Sequence, residues 1–262
     1  MNAMSGRLEN RVAIITGTAR GIGKAIARQF AAEGAIVAGV DVLDERGEAS
    51  AKEVVDAGGT MRFHHGDVSN EEDVKRVVRA VEAEHGRVDI LVNNAAWQRE
   101  SVITEVTVED FHRIIDTNLL SQVLFCREVI PGMVARKSGA IVNMSSVLGW
   151  VADPILPVYG ATKAGILGLT RAIAITYGEH GIRCNAICPG DVDTELNQDY
   201  FNAHDDPAAF RARVEHEYPM RRIATTDEIA RVAVFLASDD ASFITGTDII
   251  ADGGILARIY EL

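Results

Sequence analysis

At 262 residues, 47% of them hydrophobic, the chain is long enough to bury one large core. A formal net charge of −12 without long like-charge blocks argues against a nucleic-acid groove or an anionic membrane surface as partner. The opening MNAMSGRLENR has no apolar signal region, and no stretch reaches the roughly 20 apolar residues of a membrane span, so a cytoplasmic, soluble protein is expected.

The first strand is expected at Val12–Ile15 and runs directly into TGTARGIG, residues 16–23. Gly17, Gly21 and Gly23, with Arg20 and Ile22 between them, allow a tight turn and a close backbone approach to a pyrophosphate. The helix that follows, Gly23–Glu33, would aim its first amides at that charge. A second strand, Ile36–Val40, ends at Asp41. Its carboxylate would accept hydrogen bonds from the adenosine ribose hydroxyls and repel a 2′-phosphate, which predicts NAD rather than NADP. Two alternatives stay open here: Asp41 as an N-cap on the next helix, and Arg20 as a partner for NADP.

Further along, helical period over Glu45–Ala57, Glu71–Glu84, Val108–Arg136 and Pro157–Glu179 alternates with β-branched runs. Those runs are Met61–His64, Ile90–Val92, Ala140–Met144, Arg183–Ile187 and Asp248–Ala251. Such alternation implies an α/β fold: a single-domain, Rossmann-like doubly wound parallel sheet of about seven strands with helices on both faces. Residues 1–262 are expected to form that one dinucleotide-binding and catalytic domain. The one long irregular stretch, Pro189 to about Thr226, with helical period near Phe210–Val214, is expected to hold a substrate lid at about 190–222. The tail ILARIYEL is apolar enough to bury itself. Cys126, Cys184 and Cys188 match neither zinc nor CxxC spacing and read as small core residues, and with seven scattered histidines no metal is expected.

Several segments together resemble one family, the short-chain dehydrogenases/reductases, over nearly the whole chain. They are TGTARGIG, GDVSN at 66–70, NNAA at 93–96, Asn118 in DTNLL, IVNMSSVLG at 141–149, YGATK at 159–163, CNAICPGDVDT at 184–194 and ITGTDIIADGG at 244–254. Each is short and common, and the resemblance rests on their shared order and spacing.

The resemblance implies an NAD(P)-dependent oxidoreductase acting on CH–OH groups, with Asn118, Ser146, Tyr159 and Lys163 as catalytic residues. Asp67 would bond the adenine amine with Val68 beside it. Asn93 would stabilise the sheet and border the cofactor, and Asn94 would be among the cofactor-binding residues. Ala96 stands where the family usually has glycine. Pro189 and Gly190 would shape the nicotinamide pocket, and Val192 and Thr194 would meet the carboxamide. Asn118 would anchor a proton-relay water through a helix distortion.

Hydride transfer leaves a proton to be moved at the substrate oxygen. A free phenol titrates near 10, and bringing it to neutrality requires roughly 4 kcal/mol of differential stabilisation of the phenolate. Lys163, on the same helix face at i+4, is the expected source of that stabilisation, and Tyr159 and Lys163 would also touch the nicotinamide ribose. Ser146 would hold the substrate oxygen.

The substrate is expected to be a small molecule: a sugar, polyol or other small cyclic alcohol. Its pocket would draw on Trp97, Gln98 and Arg99, on Trp150, Val151, Asp153 and Leu156, on Asp191, and on Leu196, Tyr200, Phe201 and His204. Arg99 as a carboxylate clamp, a 3-oxoacyl-type ketoreductase and a non-catalytic dinucleotide sensor remain as alternatives. The family resemblance also implies a homotetramer built on the two long helices, consistent with an apolar outer face at Ile166, Leu167, Leu169 and Ile173.

Overall fold

In the computed structural model the described residues are 6–258. A native start at Met1 or Met4, and the burial of tail residues Ile259 to Leu262, lie outside them. In chain order the first half comprises β1 (Val12–Thr16), α1 (Gly21–Ala32), β2 (Ile36–Asp41), α2 (Asp44–Asp56), β3 (Thr60–His65), α3 (Glu71–His85) and β4 (Ile90–Asn93). The second half adds α4 (Val108–Ile115), α5 (Ser121–Arg136), β5 (Gly139–Met144), α6 (Pro157–Tyr177) and β6 (Ile182–Pro189). It closes with β7 (Val192–Asp193), α7 (Glu195–Asn202), α8 (Pro207–Glu217), β8 (Ala224–Thr225), α9 (Thr226–Ala237) and β9 (Asp248–Ala251).

Seven strands form one parallel sheet in the order β3-β2-β1-β4-β5-β6-β9. All five residues of β1 are buried, because alternate side chains enter opposite layers. Ala13 and Ile15 join Ile26 and Phe30 of α1, Val54 of α2 and Ile229 and Val234 of α9 on one face. Val12 and Ile14 join Val77 of α3, Phe125 and Val129 of α5 and Ile173 of α6 on the other. The strand order reverses on either side of β1, and this switch point opens a crevice at the carboxyl ends of the strands.

The structure bears on three of the sequence expectations. The stretch Val108–Arg136 is helical throughout and carries the distortion that the resemblance implies at Asn118, a π turn at Asp116–Leu120 where the Ser121 amide bonds Asp116 O. The irregular stretch after Pro189 contains two short charged helices: α8, which covers the helical period read near Phe210–Val214, and α7, which that reading leaves out. Ile166, Leu167 and Ile173 are buried within this chain, and Leu169 packs beside them, so they form no outer face; the exposed apolar residue of α6 is Ile175. Among the described residues, no helix is long and apolar enough to cross a membrane.

Candidate active site

The nucleotide end of the crevice is built from backbone. Gly17 takes φ +75 and its amide donates to Val40 O at 2.7 Å, so the loop after β1 lies against the end of β2. A Cβ on Gly23 would stand 2.0 Å from Gly17 O and one on Gly17 would stand 2.8 Å from Asn94 Nδ2, so both positions require glycine. Asn94 bolts the end of β4 to this loop through Nδ2, which donates to Thr16 O at 2.9 Å. Arg20 occupies the N-cap of α1 without a capping side-chain bond, and α1 has no acidic residue in its first turn. The Gly21 amide donates to Glu195 Oε2 at 3.0 Å, so a carboxylate already rests on the positive end of α1.

Asp41 closes β2 over the same loop, accepting from Ala19 N at 2.9 Å and Leu43 N at 3.1 Å. The cap position of α2 is Leu43, with no side-chain cap bond, so Asp41 is not the cap. Asp67, with buried Val68 beside it, takes Ser69 N and Oγ on Oδ1 at 2.9 and 2.6 Å. Asn93 turns inward and donates to Asn143 Oδ1 at 2.9 Å, joining β4 to β5. Asn143 continues to Thr170 at 2.9 Å and to the Cys184 thiol at 3.5 Å. Burial pushes the Cys126 thiol up to about 12 and raises Cys184 and Cys188 as well, which keeps all three protonated.

At the other end, Ser146 leaves β5 in extended backbone, and its hydroxyl is a hydrogen-bonding neighbour of the Tyr159 phenol. Tyr159 and Lys163 share one face of α6. The Lys163 ammonium stands 5.1 Å from the Tyr159 ring centre and donates to Met144 O at 2.9 Å. Burial pushes the phenol up to about 12, the Ser146 bond opposes this, and the Asp191 charge adds to it. Burial also lowers Lys163 to about 8. Both shifts are set chiefly by burial. The Asn118 side chain is committed to Trp97: Oδ1 accepts from Trp97 N at 2.7 Å and Nδ2 donates to Trp97 O at 2.9 Å.

One cavity of about 960 Å³ joins the two ends. Gly17, Arg20, Gly21, Ile22, Asp41 and Asp67 line one part, and Ser146, Tyr159, Lys163, Pro189, Gly190 and Thr194 another.

A family model described as enoyl-(acyl carrier protein) reductase matches residues 17–256. The chain belongs to the short-chain dehydrogenase/reductase family. It is 40% identical over 258 residues to the uncharacterized oxidoreductase YxbG of Bacillus subtilis, covering 97% of this chain and 94% of that protein. It is also 37% identical to the 3-oxoacyl-[acyl-carrier-protein] reductase FabG of Chlamydia muridarum, covering 96% of this chain and all of that protein (100%). Among solved structures it is similar to the Thermoplasma acidophilum aldohexose dehydrogenase, at 33% identity and a TM-score of 0.90 with 98% of each chain covered. Levodione reductase matches with 34% identity and a TM-score of 0.92, covering 97% of this chain and 100% of that one.

In this short-chain dehydrogenase/reductase the substrate side of the cavity is lined by Trp97, Gln98, Val151, Asp153 and Leu156. Asp191, Leu196, Tyr200 and Phe201 face them. Three residues expected there lie elsewhere. Arg99 pairs with Asp110 at 3.3 Å, Trp150 is 54% exposed beside Arg171, and His204 stacks on Phe210 with ring centres 3.5 Å apart. Sequence reasoning missed Glu195, Tyr218 and Arg113. The last lines the cavity with its guanidinium 4.2 Å from the Trp97 ring centre, and only the fold brings these three to the crevice.

Proposed function

We propose that the protein transfers a hydride between NAD and a secondary alcohol or ketone, with a sugar, polyol or other small cyclic alcohol as substrate. The observation that carries this reading is the convergence of Ser146, Tyr159 and Lys163 on one cavity whose other end holds Asp41 beside the glycine loop. The nucleotide end fits a dinucleotide: its approach at Gly17 and Gly23 has no room for a Cβ, and the first amides of α1 point at an anion site. Gly17, Arg20, Gly21, Ile22 and Gly23 would hold the pyrophosphate, Asp41 the ribose hydroxyls, and Asp67 and Val68 the adenine. Asn94, Pro189, Gly190, Val192 and Thr194 would surround the nicotinamide. Bound NAD supplies the hydride acceptor and a positive charge.

The chain's own residues handle the proton. Tyr159 takes it from the substrate hydroxyl during oxidation and returns it during reduction. Ser146 donates to the substrate oxygen as charge develops there. Lys163 is held by Met144 O with its ammonium beside the ring, where it orients the cofactor ribose. Asn118 holds the Trp97 backbone and with it the wall after β4. With a phenol pushed up to about 12 before cofactor binds, lowering it falls to positive charge brought by the oxidised cofactor acting with Lys163.

Support for NAD over NADP comes from the Asp41 carboxylate. A homotetramer follows from the family resemblance, and size-exclusion chromatography with light scattering tests it. A second reading, reduction of a 3-oxoacyl thioester, is favoured by the likeness to the Chlamydia muridarum reductase. The deciding experiment follows NADH or NADPH absorbance with purified protein against aldoses, polyols, cyclic alcohols and 3-oxoacyl thioesters, using Tyr159→Phe as control. Tyr159-dependent NADH formation from a polyol or sugar supports the first reading. Thioester reduction with NADPH alone replaces it with the second.

A further inference from the structure

Asp191 follows the Pro189–Gly190 turn and is fixed in a way no other polar residue of the substrate wall is among the described residues. The Tyr218 hydroxyl donates to Asp191 Oδ2 at 2.8 Å and accepts from the Asp191 amide at 2.7 Å, so one phenol grips both the backbone and the side chain. Tyr218 is itself 3% exposed, at the end of α8 in a cluster with Phe201 and Ile223. Its ring lies so close to the turn that a Cβ on Gly190 would meet it at 3.0 Å. Burial raises the Tyr218 phenol, which keeps it a donor. The result is a carboxylate set in one rotamer on the wall of the cavity, on the same cavity surface as Tyr159, Asp153 and Tyr200.

The electrostatics agree with that placement. Burial chiefly raises the Tyr159 and Tyr200 phenols and the Asp191 charge adds to both, while Asp191 is itself raised by burial and by the Asp153 charge and held down by hydrogen bonds from Tyr218 and Asn197. A carboxylate can only accept hydrogen bonds, so what it rewards in a ligand is a donor. A second carboxylate brought into this partly dehydrated space meets two fixed charges of its own sign. The cation that also lines the cavity, Arg113, is exposed and stacked on Trp97.

We propose that Asp191, locked by Tyr218, selects the substrate: it accepts a hydrogen bond from a second hydroxyl carried beside the reacting carbinol and turns away a carboxylate at that position. This rests on the hydride-transfer reading and narrows its substrate class to neutral diols and polyols.

Three small secondary alcohols of similar size test it: butane-2,3-diol, butan-2-ol and 3-hydroxybutanoate, each with NAD. For the unaltered protein, kcat/KM is expected to fall in that order, by about tenfold or more at each step. In Asp191→Asn the charge goes while size and the Tyr218 partner remain, and the penalty on 3-hydroxybutanoate is expected to shrink at least about tenfold. In Asp191→Ala the acceptor goes too, and the diol-to-butan-2-ol ratio is expected to approach one, mainly through KM. NADH affinity by fluorescence, measured on each variant, reports whether the fold is retained. A diol-to-butan-2-ol ratio unchanged in Asp191→Ala overturns the proposal. So does a preference of the unaltered protein for 3-hydroxybutanoate, which would point to Arg113. If no alcohol turns over, the hydride-transfer reading fails while the selection is still decided by the three compounds' thermal shifts of the NADH complex: a diol-favouring order lost in Asp191→Ala supports it, and equal shifts overturn it.

Discussion

The two ends of the cavity are made of different material. At the nucleotide end, buried strands deliver a loop whose contacts are mostly backbone to backbone, such as Gly17 N to Val40 O at 2.7 Å and Gly66 N to Asp41 O at 3.0 Å. At the substrate end, short helices α7 and α8 contribute side chains: an aromatic cluster of Tyr200, Phe201 and Phe210, and the Arg211–Asp193 pair at 3.1 Å. The first kind of site is specified by what cannot be added to it. The second is specified by which side chains are present, and it can change without disturbing the sheet.

Between the two stands Tyr159, and its loss should leave both ends intact while removing the reaction. Tyr159→Phe is expected to lower turnover about a thousandfold with NADH affinity retained, read by steady-state rates and fluorescence titration. The nucleotide end should prove brittle. Gly23→Ala, which drives a methyl to within 2.0 Å of Gly17 O, is expected to cost about 2 kcal/mol or more of stability and to weaken NADH binding severalfold, by thermal unfolding and titration. Gly168→Ala in α6, where nothing lies within 4 Å, should be neutral or slightly stabilising in the same assays. A tolerated Gly23→Ala would show that the loop is not set by close approach.

Smaller effects follow where side chains alone decide. Asp41→Ser should shift the NAD-to-NADP ratio of kcat/KM at least about tenfold towards NADP, and an unchanged ratio would move discrimination to Arg20. At the start of α9, Arg222 and the Thr225 cap hold Glu228 at about 2, below its ordinary 4.5. A carboxylate lowered on folding contributes stability that is present above pH 4.5 and is lost as pH falls towards 2. Glu228→Gln should therefore cost at most about 1 kcal/mol at neutral pH, since the pair is partly exposed, and the difference should vanish in acid unfolding near pH 2.

The contrast between the ends also explains what could be read from the residues. Strands β1, β2, β5 and β6 announce themselves as continuous apolar runs because both faces are buried, and the glycine loop is legible because its chemistry is backbone. α8 buries none of its residues fully, and only the short period near Phe210–Val214 marks it, too little to give its bounds. α9 did have a local mark, the Thr225/Glu228 capping box, which the expectation of an irregular stretch up to about Thr226 passed over. Tyr218 and Glu195 carry no sequence signal, since their partners, Asp191 and Gly21, lie 27 and 174 positions away. The π turn at Asp116–Leu120 has no local pattern of its own, and the family resemblance alone implies a helix distortion at Asn118.

The glycine loop also bears on how readily this protein can be redirected by selection. Its frozen positions, Gly17 and Gly23, are coupled to the sheet through Gly17 O and Asn94, so a variant there forfeits the scaffold along with the ligand. Arg20 sits in extended backbone that any residue can adopt, so its side chain can be exchanged while the peptide path stays put, and Asp41, which holds the Ala19 and Leu43 amides, can be exchanged for a residue that keeps an acceptor there. A mutant library seeking a new cofactor preference therefore has two productive positions in this region, and diversity spent on the glycines would be wasted.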